Sequence, residues 1–287
     1  GEHLGPRIFS AGRPIVVTGG HSSEPMYKGI DGAEEMRVET RRQILLGAKW
    51  IKIMISRGIA STGDISAADM TIEEMKAVTD TAHRQGVKVA AHTGSSQATL
   101  DALEAGVDSF EHGYFLNEEV FRKMKEKGAW YVPTIVVSQA GAQEFFRKIG
   151  STPFYLARVQ AVGKSHWQSL QTAIKVGVNV AMGSDQFPYE PNEGTVASVR
   201  EIELYHEAGM TPVQALRTAT VNTARMLGAD KDLGTLEVGK YADLIALDAD
   251  PTQDIRALRT ISVVMKGGAV VRNDADPASV VATGGAL

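Results

Sequence analysis

The sequence predicts a parallel α/β barrel, short of its full strand number, with a small β-rich unit at its C-terminal end. Three observations lead there. Period-two stretches alternate with helical stretches in six strand–helix units, an order that implies parallel pairing through right-handed crossovers. No G-x-G-x-x-G follows a strand, so the fingerprint of a dinucleotide-binding sheet is missing. After about Leu233 the helical period stops, and short β-rich runs with glycine turns take over. A closed TIM-like (β/α)8 barrel needs eight units, so two are absent. The barrel is expected over 1–232 and the β-rich part over 233–287.

Each element has its own reason. RIFSA (Arg7 to Ala11) alternates as a short strand, followed by a helix from Glu34 to Leu46 that ends at Gly47. WIKIMIS (Trp50 to Ser56) alternates Ile51, Ile53 and Ile55 with Trp50, Lys52 and Met54. Thr71 and Glu74 form a capping box at the next helix start. VKVAAHT (Val87 to Thr93) is a strand, then Gln97 to Glu104 a helix closed by Gly106. VDSFEHG (Val107 to Gly113) follows, with Asn117 capping a helix through Lys127. WYVPTIVV (Trp130 to Val137) is read as a strand, about Ala142 to Lys175 as a helical region, and NVAMGSD (Asn179 to Asp185) as the last strand. Two more helices follow, the second with Thr211 as cap and Pro212 in its first turn.

Composition narrows the function classes. The chain has 287 residues, 43% hydrophobic and 22% charged, with 30 basic against 34 acidic side chains and a net charge of −4. Mixed charge of that size gives no nucleic-acid or membrane surface. No apolar run has the length of a membrane span, and no signal-peptide pattern opens the chain. The absence of cysteine excludes disulfides, thiolate nucleophiles and sulfur metal sites, and leaves the compartment open. The first residue is Gly1, not methionine, so the chain is expected to begin inside a longer gene product.

Lys52, His92, His112 and Asp185 each lie within or at the C-terminal end of a different expected strand. In a parallel barrel those ends meet at one face, where catalytic groups sit. Two imidazoles, a carboxylate and an amine there are candidates for a divalent-metal site. Alone, each residue has a plainer use. A strand lysine more often ends exposed, or as a barrel-mouth cation paired with a carboxylate. A strand-end histidine is more often a hydrogen-bonded core residue, and an Asp after Gly-Ser often caps a turn. Four strands placing ligand-type side chains at one end favour the site jointly. His83, His166 and His206 on helical stretches, and His3 in the leading segment, are read as surface or structural.

AAHT, FEHG, the PT after the next strand, GSD and the closing GTLEVGKYADLIALDADP, in this order, resemble the metal-dependent amidohydrolase superfamily. The branch is that of the Xaa-Pro dipeptidase, arginine/lysine carboxypeptidase and ochratoxinase-like enzymes, and the likeness runs from GPRIFSAGRP and TGGH to about Asn273. The resemblance implies a (β/α)8 barrel with a small β-sandwich, of which strands 3–8 and the C-terminal sandwich part are present. It implies that Lys52 is carbamylated by CO2 and bridges two divalent metal ions, zinc being the expected metal. Burial lowers a lysine's pKa, so the neutral amine is available to add CO2. His92 and His112 would bind the second metal. Asp185 would ligate the first and shuttle the proton as a metal-bridging hydroxide attacks the carbonyl.

The implied reaction is hydrolysis of amide bonds in dipeptides or N-acyl amino acids. Arg57 could meet a substrate carboxylate or be a solvated loop arginine, Tyr114 could donate to the carbonyl oxyanion or be a packed loop aromatic, and His21, in the loop that resembles the one after strand three, could support a ligand or touch the substrate. QFPYEPNEGT (Gln186 to Thr195) is the expected lid. Two alternatives remain: a cyclic-amide or imidazolone hydrolase or a deaminase of the same superfamily, and a non-catalytic fragment or subunit. Deaminase branches normally do without the bridging lysine, so Lys52 argues against them.

One departure is large. The family's His-x-His pair on the first barrel strand, which binds the first metal, occurs nowhere in these residues. A missing N-terminal segment or a second chain is therefore expected to complete the barrel, whose open edges favour association, and a homo-oligomer is expected. Metal analysis tests this. The isolated chain should hold metal at His92 and His112 but lack two tightly held zinc ions, and two such ions without any N-terminal partner would contradict it.

Overall fold

The structure, a computed structural model, describes residues 5–139, 141–186 and 195–281. The chain divides into two compact units, Phe9–Ala197 and Gly1–Ile8 with Ser198–Leu287.

The larger unit is built on a five-stranded parallel sheet in the order β1-β2-β3-β4-β5: β1 (Trp50–Met54), β2 (Lys88–Thr93), β3 (Ser109–His112), β4 (Trp130–Val132) and β5 (Asn179–Val180). Helices α1 (Gly32–Leu45), α2 (Ile72–His83), α3 (Ser96–Ala105), α4 (Glu118–Lys127), α5 (Ala142–Lys148) and α6 (Pro153–Val176) separate or precede the strands. Ile51, Ile53, Val89, Ala91 and Phe110 are fully buried on one face of the sheet. The opposite face keeps Lys52, Met54, Ala90 and Glu111 only half-buried, and polar groups there remain open to a ligand.

A sixth parallel segment lies against the free edge of β1. Ile15 pairs with Ile53, its N–H donating to the Lys52 carbonyl at 2.8 Å and its carbonyl accepting from Met54 at 3.2 Å. This edge forms at Ile15, not over the expected Arg7 to Ala11. The β-branched Ile15-Val16-Val17 run is buried, whereas Ile8 and Phe9 are exposed; burial of apolar surface outweighs the local alternation of RIFSA.

The other strand ends differ for local reasons. β4 stops at Val132 because Pro133 has no N–H for the ladder, and Ile135–Val137 form a 3-10 turn. The expected single helical region is two helices, broken where Gly150 takes a φ of 81° and Thr152 caps α6 ahead of Pro153. β5 has two residues, one ladder bond continuing from Ala181 N–H to the Tyr131 carbonyl at 3.0 Å. Asp185 therefore stands beyond its strand.

The helix starts agree with the sequence. Thr71 accepts from the Glu74 N–H while Glu74 accepts from Thr71, closing the capping box. Ser95 and Asn117 cap α3 and α4, and Gly106 and Gly128 end them at φ 91° and 69°, a left-handed geometry that suits a residue without Cβ.

The second unit contains α7 (Thr195–Glu207, its first residues excepted), α8 (Pro212–Arg217), α9 (Thr223–Leu227) and an antiparallel sheet β6-β7-β8 (Leu244–Leu247, Ile261–Lys266, Ala269–Asn273). Buried Glu203 on α7 receives Arg259 at 2.6 and 2.7 Å and Arg200 at 3.2 Å, so its carboxylate is neutralised rather than stranded.

Glu74 also accepts from the N–H of Gly32, the first residue of α1, at 2.9 Å. Thr71→Ala should therefore cost about 1 kcal/mol, the usual worth of a cap, and Glu74→Ala more, since it leaves the starts of two helices unsatisfied. Denaturant unfolding of both variants checks the order.

Candidate functional site

Strand register brings the first three groups together. Lys52 pairs with Ala90, Met54 with His92, and His92 with Glu111. Side chains alternate along each strand and match across parallel neighbours, so Lys52, His92 and Glu111 share the half-buried face. His112 pairs with Thr93. By alternation it belongs with Phe110 on the opposite, fully buried face. Its backbone leaves the β region at φ 67°, and this left-handed turn redirects the imidazole. The His112 ring lies 4.6 Å from that of His92, centroid to centroid.

The hydrogen bonds of these two rings decide their tautomers. His92 Nε2 meets the Arg57 carbonyl at 3.1 Å. A carbonyl only accepts, so Nε2 carries the proton and Nδ1 keeps a lone pair. His112 Nδ1 meets the Thr134 hydroxyl at 2.7 Å, and that hydroxyl lies 2.7 Å from the Pro133 carbonyl, to which it donates. Thr134 then accepts from His112, leaving the lone pair on Nε2. Burial pushes both pKa values well below the ordinary histidine range, for His92 with help from His21 and Lys52, for His112 from His92 and Lys52. Two neutral imidazoles, each tied by its far nitrogen, are the donor set that suits a divalent cation.

Lys52 forms an ion pair with Glu111, whose other oxygen accepts from Ser109 at 2.7 Å. An ammonium offers no lone pair, so Lys52 in this state is a cation facing the site. Asp185 takes a left-handed φ of 52°. Although much of its residue surface is open, enough protein surrounds the carboxyl that desolvation leads and raises its pKa, with Lys52 opposing and Glu111 adding. Lys52 thus acts on His21, His92, His112 and Asp185 alike. Lys52, His92 and His112 stand together, and Asp185 lies within electrostatic reach of Lys52 and Glu111. Among the described residues, no three His, Asp or Glu side chains stand close enough to cage a metal ion by themselves, so the imidazole pair is the nucleus of the site.

The remaining candidates line the same place. His21 stacks on His92 at 4.2 Å and 18°. Its Nδ1 hydrogen-bonds Ser61, and its pKa falls to about 4 through burial, then Lys52, Arg57 and Arg158. Tyr114 is buried and stacks on His112 at 5.5 Å and 6°. Burial holds its pKa well above the usual phenol value, with Asp185 and Tyr155 adding. Arg57 is partly committed: its Nε donates to Asp69 at 2.9 Å and Nη1 to the Thr62 carbonyl at 3.3 Å. The expected lid, Gln186 to Thr195, lies almost wholly outside the described residues.

Residues 57–63 form the wall over the imidazoles. A Cβ at Gly58 would stand 2.6 Å from the His21 ring and 2.7 Å from that of His92. Arg158 of α6 fastens this segment, donating to the carbonyls of Gly58, Ile59 and Gly63 at 3.1, 3.0 and 2.9 Å.

Sequence reading missed Glu111, Thr134, Arg158 and Tyr155 as neighbours of the site. Glu111 was legible in principle, because the FEHG strand that carries His112 places it on the Lys52 face. Arg158 comes from a helix about 100 residues beyond the segment it meets, Tyr155 lies on the same helix, and no local pattern announces either.

The amidohydrolase family model matches residues 2–271. Ochratoxinase of Aspergillus niger is 34% identical over 301 residues, covering 93% of this chain and 60% of that protein. The chain thus spans about three-fifths of that relative's length. The crystal structure of a Xaa-Pro dipeptidase with bound methionine superposes with a TM-score of 0.86 at 31% identity, over 95% of this chain and 70% of that one. The A. niger ochratoxinase structure gives 0.83 at 31%, over 98% and 69%.

Gly58→Ala should push His92 off its position while leaving the sheet intact. Loss of metal affinity by about tenfold or more, the scale for disturbed ligand support, with unchanged far-ultraviolet circular dichroism, is the expected result of a zinc titration.

Proposed function

Since the chain belongs to the amidohydrolase family, we propose that it carries the second-metal half of a site that hydrolyses amide bonds in dipeptides or N-acyl amino acids. The observation that carries the reading is the pairing of His92 and His112, each with one ring nitrogen left as a lone pair, beside Lys52, with the Asp185 carboxyl beyond β5 in electrostatic reach of that lysine. The parallel sheet would be strands 3–8 of a (β/α)8 barrel, and β6-β7-β8 the C-terminal part of a small β-sandwich, with a boundary near 232. The His-x-His pair and first two strands would come from a segment outside these residues or from a partner chain, in a homo-oligomeric enzyme.

His92 Nδ1 and His112 Nε2 would hold one divalent cation, zinc by the preference of imidazole, with the carbamate of Lys52 and the Asp185 carboxylate as oxygen ligands toward a second. Bound there, the metal supplies Lewis acidity toward the scissile carbonyl. Lys52 would reach the carbamate by losing two protons, one from the ammonium and one as its nitrogen bonds to the CO2 carbon, which turns a cation into an anion. Glu111 then faces a like charge, so carbamate and metal stabilise one another and neither is favoured alone. Asp185, its pKa raised by burial, is suited to take a proton at its carboxylate oxygen and return it to the leaving nitrogen. Tyr114, its pKa raised by burial, stays protonated and would supply a hydroxyl donor to the developing oxyanion. Neutral His21 adds a second polar contact. Arg57, whose Nη2 has no partner among the described residues, would meet the substrate carboxylate.

A panel of dipeptides and N-acyl amino acids tests the reading, run with the N-terminal segment restored. Turnover should require zinc and bicarbonate together. Asp185→Asn should lower kcat by roughly 10²-fold or more. Lys52→Ala should be inactive and partly rescued by a small carboxylate such as acetate, which replaces the missing bridging oxygens. Metal binding without hydrolysis of any member would favour a non-catalytic role.

A further inference from the structure

The buried face of α6 carries two polar residues one turn apart, His166 and Ser169. Ser169 holds both backbone groups of Leu116, accepting from its N–H and donating to its carbonyl, each at 3.1 Å. His166 reaches further in. Its Nε2 lies 2.9 Å from the His112 carbonyl and 2.8 Å from the Pro133 carbonyl. Both partners only accept, so Nε2 carries the proton and is shared between them. Nδ1 accepts from the Ser138 hydroxyl at 2.8 Å. Tyr131 donates a second hydrogen bond to the His112 carbonyl at 2.7 Å, and the Tyr114 ring lies edge-on to His166 at 4.9 Å.

A fully buried histidine needs partners of some kind, and that need alone would explain any set of carbonyls. These two are particular. One belongs to His112, held in a left-handed conformation; the other precedes Thr134, also left-handed at φ 51°. Thr134 supplies the hydroxyl that fixes the His112 tautomer. One N–H therefore staples together the ends of β3 and β4 at the two residues whose backbone turn aims the imidazole.

We propose that His166 is a positioning residue for His112, clamping the turned backbone so that Nε2 keeps its lone pair directed into the site. Tyr131 shares the load on the same carbonyl. As far as zinc is concerned, this rests on the metal reading of His92 and His112; the orientation of His112 does not. His166→Met removes the donor while keeping side-chain bulk, and His166→Gln retains an N–H near the Nε2 position.

Two measurements test it. Ring ¹⁵N shifts of His112 in the metal-free protein report the tautomer, and chelator competition reports zinc affinity. Wild type and His166→Gln should show one His112 tautomer, Nδ1–H. His166→Met should show averaged tautomers and bind zinc roughly 10- to 100-fold more weakly, the range for lost ligand support. A His166→Met protein with a single tautomer and wild-type zinc affinity would overturn the proposal. Should that variant not fold, Tyr131→Phe removes the other donor to the same carbonyl: a smaller shift in the same direction supports the clamp, and no change overturns it. A wild type that binds no zinc, yet loses the His112 tautomer when His166 becomes Met, would defeat the metal reading and leave the clamp standing.

Discussion

The His112 side chain starts on the wrong side of its sheet. Register with Thr93 and alternation with Phe110 direct it to the face packed with Ile51, Val89 and Ala91, away from Lys52 and His92. Only a left-handed residue at the strand end turns it around, and for a residue with a Cβ that conformation costs on the order of 1 kcal/mol. Neighbouring groups must over-determine the turn for it to persist. The Tyr131 hydroxyl and His166 saturate the His112 carbonyl, Thr134 ties Nδ1, and the Tyr114 ring covers the imidazole. The rest of the site is arranged around that turned residue.

Its electrostatics follow from burial. Three stacked or tilted imidazoles, His21, His92 and His112, pack within centroid distances of 4.2 and 4.6 Å. They could not share that space as cations, since desolvation and mutual repulsion act in one direction. Lys52 adds a positive charge to the same region and is held by Glu111. The result is a cluster of neutral nitrogen donors beside a balanced charge pair, with the Asp185 carboxyl nearby in a pKa-raising environment.

Helix α6 organises the walls. Within one helix, Arg158 grips three carbonyls of the segment over His92, His166 grips the backbone of His112 and Pro133, and Ser169 grips Leu116. Backbone groups, the Leu116 N–H and otherwise carbonyls, are the attachment points. The Arg57 side chain is itself partly spent on Asp69 and Thr62.

Much of this protein was legible in its residues. Period-two runs located β1, β2 and β3, capping signals at Thr71, Asn117 and Thr211 located helix starts, and ordered short motifs identified the family. Errors fell where local pattern and burial disagreed: the edge formed at Ile15 rather than in RIFSA, and Pro133 cut β4 short. Alternation determines which face a side chain takes while the chain remains a strand, so it suffices for Lys52 and His92 and would have sufficed for Glu111. It has no hold on a residue whose backbone leaves the strand. The turn at His112, its tautomer and its clamp by a histidine 54 positions away were decided only when packing brought α6 against the strand ends, because contacts between distant segments have no period to read.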